Sequence, residues 1–578
     1  MTNLKIAAAF SEIADLIELK GENPFKIRAY RRAAQLLENL DTDVASLVDT
    51  GELRHLEGIG SALAGKITEY VRTGRIGALD KLRQEIPSSL HALTTVPGVG
   101  PKVAARLFRE LGIRDLAGLE EALSQQRIRE LKGFGPKTEA NIAVGLEELA
   151  RYQGRRPLYV ALPLARELVA GLQALPAVNR VAIAGSVRRM REMVGDIDIV
   201  VATDDSEVIG HHLTHLTLVE RVMARGDTKV SLVLHGGLQV DVRMVASGAF
   251  ASALHHSTGS QAHNVALRSL ALAKGLSISE YGLFDRRTKE RHEPANEEEL
   301  YALLGLPYIP PELRENAGEI EAAMEGALPG LVSRSDITGD LHAHSDWSDG
   351  TATLEELARA GAARGLRYVA VCDHSRSLSI AGGLTSEQLD ARDLQIIRVN
   401  EQNTGAMLLP GVEVDILADG SLDLPDEVLR KRVVVVASLH SGLRQERAQL
   451  MRRLKAAMEN PYVHIIGHPT GRLLGRRVPS DVDVDELIRI ASDTGTALEI
   501  NASPDRLDLS AEHARQAAAA GVMIAINTDA HDVSEFDFLS YGLSVARRAW
   551  LEPSAVLNSQ PLEDLRQRLA LKSGRRRG

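Results

Sequence analysis

Short runs of Val, Ile, Leu and Ala recur through the C-terminal part of the chain, and most of them end beside a His or an acidic residue. Such runs occupy residues 368–371, 433–437, 464–466 and 524–526. Apolar runs of this length are typical of buried strands, so each polar residue falls at the C-terminal end of a strand. In strand–helix barrels the reactive side chains collect at that rim. The pattern therefore predicts a barrel with a chemical site at one end.

The polar residues at these strand ends are suited to binding metal. His342 and His344 are two residues apart, so on a strand both imidazoles point to the same face and can reach one ion. A ring of imidazoles and carboxylates suits Zn, Mn or Fe. Any one His alone fits a surface or satisfied core residue equally well, whereas the whole series favours ligands. The other candidates are His374, Glu413, His440, His468, Asp529 and His531.

The N-terminal region repeats a different pattern, in which a Gly-apolar-Gly turn opens an apolar-periodic helix. Two near-copies, Leu56-Glu-Gly-Ile-Gly-Ser-Ala-Leu-Ala64 and Val96-Pro-Gly-Val-Gly-Pro-Lys-Val-Ala104, are joined by a possible third at residues 131–137. The helix N-terminus after such a turn offers free N–H groups to an anion. A single copy would also fit a plain helix–helix turn. The repeat resembles the helix-hairpin-helix motif, which binds DNA phosphates, and this resemblance marks Gly58, Gly60, Gly98, Gly100 and Lys102.

Between these regions, residues 181–201 read as an apolar strand, a Gly-Ser turn, an Arg-rich segment and a second strand. That second strand carries Asp196 and Asp198, which point the same way, and Asp241 lies in a further strand pattern. Three carboxylates on adjacent strands can hold two divalent ions, and oxygen-only ligands favour Mg²⁺. An isolated Asp-x-Asp would more simply face solvent. The sequence motifs around these aspartates, given below, favour the metal site over a solvent-facing pair.

Length and composition set wider limits. A chain of 578 residues is too long for one hydrophobic core and predicts three or four domains. With neither a signal-like segment nor a long apolar span, we expect a cytoplasmic protein without a membrane partner. The single Cys372 excludes an internal disulfide, and its apolar surroundings predict core packing. The net charge of −10 argues mildly against nucleic acid, but the basic clusters at 26–32, 188–189 and 575–577 permit it.

The C-terminal motifs resemble those of the PHP (polymerase and histidinol phosphatase) domain. They are Asp-Leu-His-Ala-His with Ser-Asp-Gly, Cys-Asp-His-Ser, Pro-Gly-Val-Glu-Val-Asp, Ser-Leu-His-Ser, Gly-His-Pro-Thr-Gly and Asn-Thr-Asp-Ala-His, in that order. The resemblance implies a distorted (β/α)7 barrel over residues 336–571, with a trinuclear Mn²⁺ or Zn²⁺ site. It assigns the ligands to His342, His344, Asp349, His374, Glu413, His440, His468, Asp529 and His531.

The central motifs resemble the nucleotidyltransferase signature of family X DNA polymerases. They are Gly185-Ser186 with Arg188-Arg189, Gly195-Asp-Ile-Asp198, Asp241, Thr258-Gly-Ser-Gln-Ala-His-Asn264, Arg268 and Glu280-Tyr-Gly-Leu283. The resemblance covers residues 1 to about 305 and implies an α/β palm and thumb. It makes Asp196, Asp198 and Asp241 the catalytic, Mg²⁺-binding residues. It assigns nucleotide binding to Gly185, Ser186, Arg189, Gly195, Gly259, Asn264 and Arg268.

The chain departs from this family at two places. His256-Ser257 stands where an aromatic pair usually precedes Thr-Gly-Ser, which predicts a looser sugar pocket. Gln261 replaces a Lys common in bacterial relatives. Lys66 aligns with a lyase Lys of animal relatives, although a solvated helix Lys is the simpler interpretation.

The sequence thus predicts a multidomain chain: an all-α helix-hairpin-helix DNA-binding domain (1–150), a nucleotidyltransferase palm and thumb (151–305), a linker (306–335) and the PHP barrel (336–571). We expect a monomeric gap-filling repair polymerase with a metal-dependent 3′-5′ exonuclease in the PHP domain, and cleavage at abasic sites is a further activity that the resemblance allows for the same site. Its expected partners are gapped or primer–template DNA and dNTPs. The alternatives are a metallophosphatase or nuclease with a degenerate polymerase half, and a DNA-binding scaffold with structural metal sites.

Overall fold

The computed structural model describes residues 2–20, 24–38, 44–50, 53, 59–85, 93, 94, 96, 99–152, 154–378, 381–402 and 405–572. The predicted Gly58, Gly98 and basic tail 575–577 lie outside these residues. The chain forms two compact units, one of residues 1–153 with 475–478 and one of residues 154–474 with 479–578. Among the described helices, none combines the length and apolar character needed to cross a membrane.

The first unit is helical. Its apolar faces meet in one core, in which the rings of Phe10 and Tyr30 pack edge to face with centroids 5.4 Å apart. Its helices are α1 (Thr2–Lys20), α2 (Pro24–Glu38), α3 (Val44–Thr50), α4 (Ser61–Thr73), α5 (Gly77–Glu85), α6 (Pro101–Leu111), α7 (Leu116–Ser124) and α8 (Pro136–Tyr152).

The glycine turns begin helices as the sequence predicted. Gly60 and Gly100 precede α4 and α6 with extended backbone, at φ −73° and −71°. In the part of the chain that the structure describes, no side chain caps either helix, so first-turn N–H groups stay available. A Cβ at either glycine would meet no atom of the described residues within 4 Å. Both turns are therefore open to an approaching anion.

The second unit begins with a five-stranded sheet in the order β2-β4-β7-β6-β5, in which only β4 and β7 run parallel. Asp198 of β4 lies directly opposite Asp241 of β7. The strands of this part are β1 (Arg156–Pro157), β2 (Val178–Ile183), β3 (Met193–Val194), β4 (Asp196–Thr203), β5 (Val219–Arg225), β6 (Lys229–Leu234) and β7 (Gln239–Val245). Its helices are α9 (Leu158–Gln173), α10 (Gly185–Arg188) and α11 (Ser206–Thr214).

An antiparallel three-stranded sheet and several helices follow this five-stranded sheet, which is called the palm sheet below. These are α12 (Phe250–Thr258), α13 (Gln261–Ala273), β8 (Leu276–Ser279), β9 (Gly282–Asp285), β10 (Arg291–His292), α14 (Glu297–Leu303) and α15 (Glu319–Glu325). The predicted linker contributes Leu306, Ile309 and Leu313 to the core of this region. The proposed domain boundaries stay a prediction.

The C-terminal part forms a seven-stranded parallel sheet in sequential order. Its strands are β11 (Gly339–Ala343), β12 (Tyr368–Val371), β13 (Met407–Asp415), β14 (Val434–Ser438), β15 (Ile465–Ile466), β16 (Ala497–Asn501) and β17 (Ile524–Asn527). The sheet curls until its first and last strands meet, where the Asp529 N–H donates to His342 O (2.9 Å) and the His344 N–H to Ala530 O (2.8 Å). This nearly closed barrel confirms the predicted fold class.

Helices cover the outside of the barrel and leave its C-terminal rim to the loops. They are α16 (Leu354–Ala363), α17 (Ser386–Gln402), α18 (Asp426–Leu429), α19 (Arg447–Glu459), α20 (Val484–Thr494), α21 (Ala511–Ala519), α22 (Leu539–Arg548) and α23 (Leu562–Lys572). Cys372 lies in the barrel core, as predicted, where burial raises its thiol pKa to about 12.

Candidate active sites

The barrel strands bring the nine predicted ligands to one rim. Their donor atoms form three groups that share members: His342, His344 and Asp529; His374, Glu413 and His440; and His344, Asp349, His374 and His531. His468 joins the second group, because its Nε2 lies 3.1 Å from Glu413 Oε1. Glu413 is central, with Oε2 3.5 Å from His342 Nε2 and 2.8 Å from His374 Nδ1.

Among the described residues, several of these buried atoms form no well-aligned hydrogen bond although they lie beside other ligand atoms, which is the state expected of metal ligands. They are His342 Nε2, His344 Nδ1, His374 Nδ1 and Glu413 Oε2. Leaving buried polar atoms unpaired costs about 1–3 kcal/mol each, so an ion that satisfies them is favoured. Neutral imidazole and carboxylate oxygen together suit a borderline divalent ion. The residues present therefore fit a cluster of divalent metal ions.

Buried charge shapes the protonation of the ring. Burial lowers the pKa of His374, but Glu413 and Asp349 outweigh it and raise the pKa to about 10. His440 and His531 also have pKa values raised to about 9, by Glu413 and by Asp349 respectively against the opposing effect of burial. The partner carboxylates have lowered pKa values. Without metal, protons thus balance the carboxylates, and incoming ions displace them.

The ring is closed on one side and open on the other. His342 and His344 are fully buried, whereas Asp349 and His531 keep 32% and 34% of their side-chain surface exposed. Arg506 approaches the same rim, with Nε 3.9 Å from Asp529 Oδ2. The exposed side of the ring is therefore at Asp349 and His531, and Arg506 places a cation beside Asp529 at the same rim.

Sequence reasoning missed the residues that orient these ligands. Glu499, buried in the middle of β16, accepts a hydrogen bond from His342 Nδ1 at 2.8 Å. Its other oxygen accepts from the His468 N–H at 2.7 Å. Asp415 lies 2.5 Å from His440 Nδ1 in the same way. Such partners fix the tautomer and turn the far ring nitrogen toward the metal. A carboxylate inside an apolar strand run was the available signal.

The backbone at two ligands is also unusual. His468 and Asp529 have φ values of +27° and +55°, in the left-handed region that non-glycine residues rarely adopt. Backbone strain of this kind costs of order 1–3 kcal/mol and clusters at functional sites. Both residues are held in orientations that an ordinary strand end would not give.

The palm sheet brings Asp196, Asp198 and Asp241 together, with one carboxylate oxygen of each within 4.8 Å of the others. Burial, followed by the two neighbouring carboxylates, raises the pKa of Asp198 to about 7. Lys229 Nζ lies 3.2 Å from Asp241 Oδ2 and partly balances the cluster. An all-oxygen site that is half-buried and short of positive charge fits divalent cations such as Mg²⁺.

The predicted nucleotide-binding residues surround these aspartates. Gly185 has φ +61°, and a Cβ there would lie 2.0 Å from Asp198 Oδ2, so only glycine fits. Ser186 Oγ is buried, has no hydrogen-bond partner among the described residues, and is available to a phosphate oxygen. Arg189 donates from Nη1 to Thr258 O and pairs through Nε with Glu315 at 3.0 Å. Gly195 has open space beside it, and Gly259 packs against the Arg189 guanidinium.

The departures from the family lie at the same pocket. His256 and Ser257 line a cavity of about 160 Å³ together with Asp198, Lys229 and Asp241. Asn264 donates from Nδ2 to His256 O at 2.8 Å, and Arg268 lies one turn further along α13. Gln261, at the start of α13, is exposed. The side chains at 256 and 257 therefore border the space beside the catalytic carboxylates.

In the first unit, the structure places Lys66 on α4 beside a cavity of about 440 Å³. Lys20, Lys26, Lys81 and Tyr30 also line it, and Lys66 Nζ is 6.0 Å from the Tyr30 ring centroid. Lys102, the predicted DNA contact, is exposed on the first turn of α6. A cavity rich in lysine suits an anionic ligand.

Comparison with known proteins gives matches to three family models. Residues 1–76 match a helix-hairpin-helix domain, residues 90–148 a SAM-like helix-hairpin-helix tandem, and residues 253–315 the DNA polymerase beta thumb. The chain is 42% identical over 555 residues to the DNA polymerase/3′-5′ exonuclease PolX of Bacillus subtilis, covering 96% of both chains.

Two more distant relatives each match a part of the chain. A probable phosphatase of Thermoanaerobacter sp. is 33% identical over 235 residues, covering 38% of this chain and 89% of the relative. DNA polymerase lambda of Rattus norvegicus is 24% identical over 345 residues, covering 54% of this chain and 56% of the relative.

Proposed function

Because the chain belongs to the family of the DNA polymerase/3′-5′ exonuclease PolX, we propose that it fills short gaps in DNA and trims 3′ ends with a separate metal site. The observation that carries the proposal is the presence, in one compact unit, of two clusters that can each hold divalent ions. A small-molecule phosphatase needs only one of them. A scaffold needs neither the unpaired ligand atoms nor an open rim.

In the palm, Asp196, Asp198 and Asp241 hold two Mg²⁺, which when bound activate the primer 3′-hydroxyl and neutralise charge on the phosphates. Ser186 and Arg189 bind the triphosphate, since one offers an unpaired hydroxyl and the other a guanidinium. Asn264 and Arg268 contact the nucleotide and template in the minor groove. These residues supply positioning, which accounts for most of the catalysis of phosphoryl transfer.

In the barrel, the ring of nine ligands holds Mn²⁺ or Zn²⁺, which when bound supply Lewis-acid activation of water and phosphodiester. Glu499 and Asp415 keep the rings of His342 and His440 in the binding tautomer. The exposed edge at Asp349 and His531 admits the DNA strand, and Arg506 contacts its phosphate. Cleavage at abasic sites is a further activity of this site.

In the first unit, the amide groups after Gly60 and Gly100, with Lys102, contact DNA phosphates without reading sequence. Gly58 and Gly98 lie outside the described residues, and their part in DNA binding stays a prediction from the motif. We propose that Lys66 is a solvated lysine that faces DNA. The alternative is that it acts as a lyase nucleophile. Borohydride reduction on a duplex with a 5′ abasic sugar separates the two, because only the lyase becomes covalently attached. We propose a cytoplasmic monomer bound to gapped or primer–template DNA and dNTPs.

One experiment tests the activities together. Protein loaded with metal is incubated with a labelled duplex carrying a one-nucleotide gap, with and without dNTPs. Extension with dNTPs and shortening without them is the expected result. Shortening without extension would indicate a degenerate polymerase half. The absence of both extension and shortening would favour a DNA-binding scaffold. Phosphate release from a small phosphomonoester, with the DNA left intact, would instead indicate a phosphatase.

A further inference from the structure

The last two residues of α22, a helix of the barrel, contact residues of the predicted linker (306–335) and of the palm. Arg547 Nε lies 2.7 Å from Glu312 Oε1, and its Nη1 donates to Val332 O at 3.1 Å. Arg548 donates from Nη1 to Glu315 Oε1 at 3.2 Å and to the Arg189 carbonyl at 3.1 Å. Only the second arginine therefore contacts a residue of the proposed nucleotide pocket.

Glu315 joins Arg548 to the Arg189 side chain. The same Oε1 accepts from Arg189 Nε at 3.0 Å, while Arg189 Nη1 donates to Thr258 O. Thr258 begins the Thr-Gly-Ser turn beside the palm cavity. The side chains of Arg548, Arg189 and Glu315 are only 10%, 13% and 24% exposed. Removing one member of a buried charge group leaves the others uncompensated and free to move.

A second contact holds the same palm segment. Arg472 Nη2 lies 2.8 Å from Glu192 Oε1, three residues after Arg189. Arg472 follows the ligand His468 by four residues, and its Nε donates to Arg506 O at 3.0 Å. Arg548 thus contacts the first residue of the segment 189–192, and Arg472 contacts its last residue.

We propose that Arg548 is a positioning residue for nucleotide binding, which fixes Arg189 through Glu315 and through the Arg189 carbonyl. The barrel half then has a second role besides its own chemistry, as a support of the triphosphate pocket. This inference rests on the proposed role of Arg189. It concerns binding of the incoming nucleotide and leaves the aspartate cluster unchanged.

Arg547 offers a matched control, because it lies at the same helix end and its ion pair is shorter. Within the described part of the chain, its partner Glu312 pairs with Arg547 and makes no contact with Arg189, so Arg547→Ala loosens the junction without releasing Arg189. A junction that acts only as packing would respond equally to both substitutions. A positioning role requires Arg548 alone to matter for nucleotide binding.

The test uses the full-length chain in single-nucleotide insertion on a one-nucleotide gap. Arg548→Ala should raise KM for the dNTP about tenfold and change kcat less than about twofold, as expected when ground-state binding is lost. Arg548→Lys should recover part of the loss, and exonuclease activity should remain as in the parent protein. Arg547→Ala should leave KM unchanged. An unchanged KM in Arg548→Ala, or an equal rise in both, overturns the inference.

Two further variants separate this inference from the role on which it rests. If Arg189→Ala leaves KM unchanged, the assignment of Arg189 is wrong; if Arg189→Ala raises KM and Arg548→Ala does not, only the positioning role is wrong. Should Arg548→Ala lower the unfolding temperature sharply, Glu315→Gln replaces it with little change of volume. That variant should raise KM to a similar extent, and adding Arg548→Lys to it should change KM by less than about twofold because the two residues act in one network. A normal KM in Glu315→Gln overturns the inference.

Discussion

The acidic cluster of the palm and the histidine ring of the barrel both gather ionisable groups from neighbouring parallel strands, but they balance charge differently. The palm cluster contains only carboxylates, whose mutual repulsion and burial raise the pKa of Asp198 to about 7. In the ring, imidazoles and carboxylates pair with one another, and the pKa of His374 rises to about 10. The first site needs cations to ionise fully, whereas the second can neutralise itself with protons.

This difference suits the two proposed reactions. Carboxylate oxygens bind Mg²⁺ through few ligands, leaving positions for the oxygens of an incoming nucleotide. Imidazole-rich sites select transition metals and hold them through many ligands. The palm site is therefore expected to load its ions together with substrate, while the barrel site keeps a resident cluster.

The largest effect is expected from a variant that inactivates the palm site and leaves the barrel site intact. Asp196→Ala with Asp198→Ala should reduce nucleotide incorporation by at least about a thousandfold, because the remaining carboxylate cannot hold two ions. DNA binding and exonuclease activity should persist, since neither aspartate belongs to the barrel. Primer extension and strand shortening are measured on the same gapped duplex. Asp204→Ala, an exposed aspartate just past the same strand, is the control; full extension by the double variant would disprove the site.

The reciprocal change is His342→Ala with His344→Ala. It should abolish exonuclease activity and lower bound Mn or Zn, because both imidazoles point into the cluster. Elemental analysis and strand shortening are the measurements, with extension retained. The control removes His211 and His215, whose rings stack at 4.1 Å on the palm surface. Metal content equal to that of the parent protein would show that the ring is not the metal site.

These residues were accessible from sequence because each follows a short apolar run or belongs to a local motif. The run at 368–371 coincides with β12, and that at 524–526 lies within β17. Glu499 and Arg548 were not accessible. Glu499 contacts a histidine 157 positions away, and Arg548 contacts Glu315 across 233 positions. Local patterns specify strands and their ends, whereas such pairings depend on how the elements pack.

The next largest expected effect is a difference between the two sites in how metal affinity depends on pH. Since His374, His440 and His531 have raised pKa values in the metal-free ring, metal must displace their protons. Affinity should therefore rise roughly tenfold per pH unit for each displaced proton, and continue to rise above pH 8. In the palm, the raised pKa of Asp198 is about 7, so Mg²⁺ affinity should fall below pH 7 and level off above it. Calorimetric titration of each knockout from pH 6 to 8.5 measures this. Levelling of both sites at one pH would contradict the charge argument.

A smaller effect concerns ligand orientation. Glu499→Gln replaces an acceptor oxygen with an amide that meets donors at His342 Nδ1 or His468 N, so one of the two contacts is lost. Metal affinity should fall about 10–100-fold. Glu319→Gln is the matched control, because Glu319 pairs with His263 Nδ1 at 2.6 Å while the other ring nitrogen lies 2.9 Å from the Tyr301 hydroxyl. Equal metal affinity in Glu499→Gln and the parent protein would remove Glu499 from this role.

The smallest expected effect is on sugar selection in the palm. His256 and Ser257 line the cavity beside Asp198 and Asp241, where relatives of the family carry an aromatic pair. If these side chains leave the sugar edge open, ribonucleotides should be inserted with little penalty, and His256→Tyr with Ser257→Phe should restore discrimination. Added crowding of about 1.4 kcal/mol gives a tenfold change in the ratio of deoxy to ribo efficiency.

The competing explanation is that backbone carbonyls of this turn exclude the 2′-hydroxyl. The His256 carbonyl already accepts from Asn264 Nδ2, which holds the turn in place whichever side chain it carries. In that case the parent protein would already reject GTP, and the aromatic pair would add nothing. Insertion kinetics with dGTP and GTP on a one-nucleotide gap compare the parent with the double variant. A rise in the ratio supports steric selection by side chains, and an equal ratio in both proteins assigns selection to the backbone.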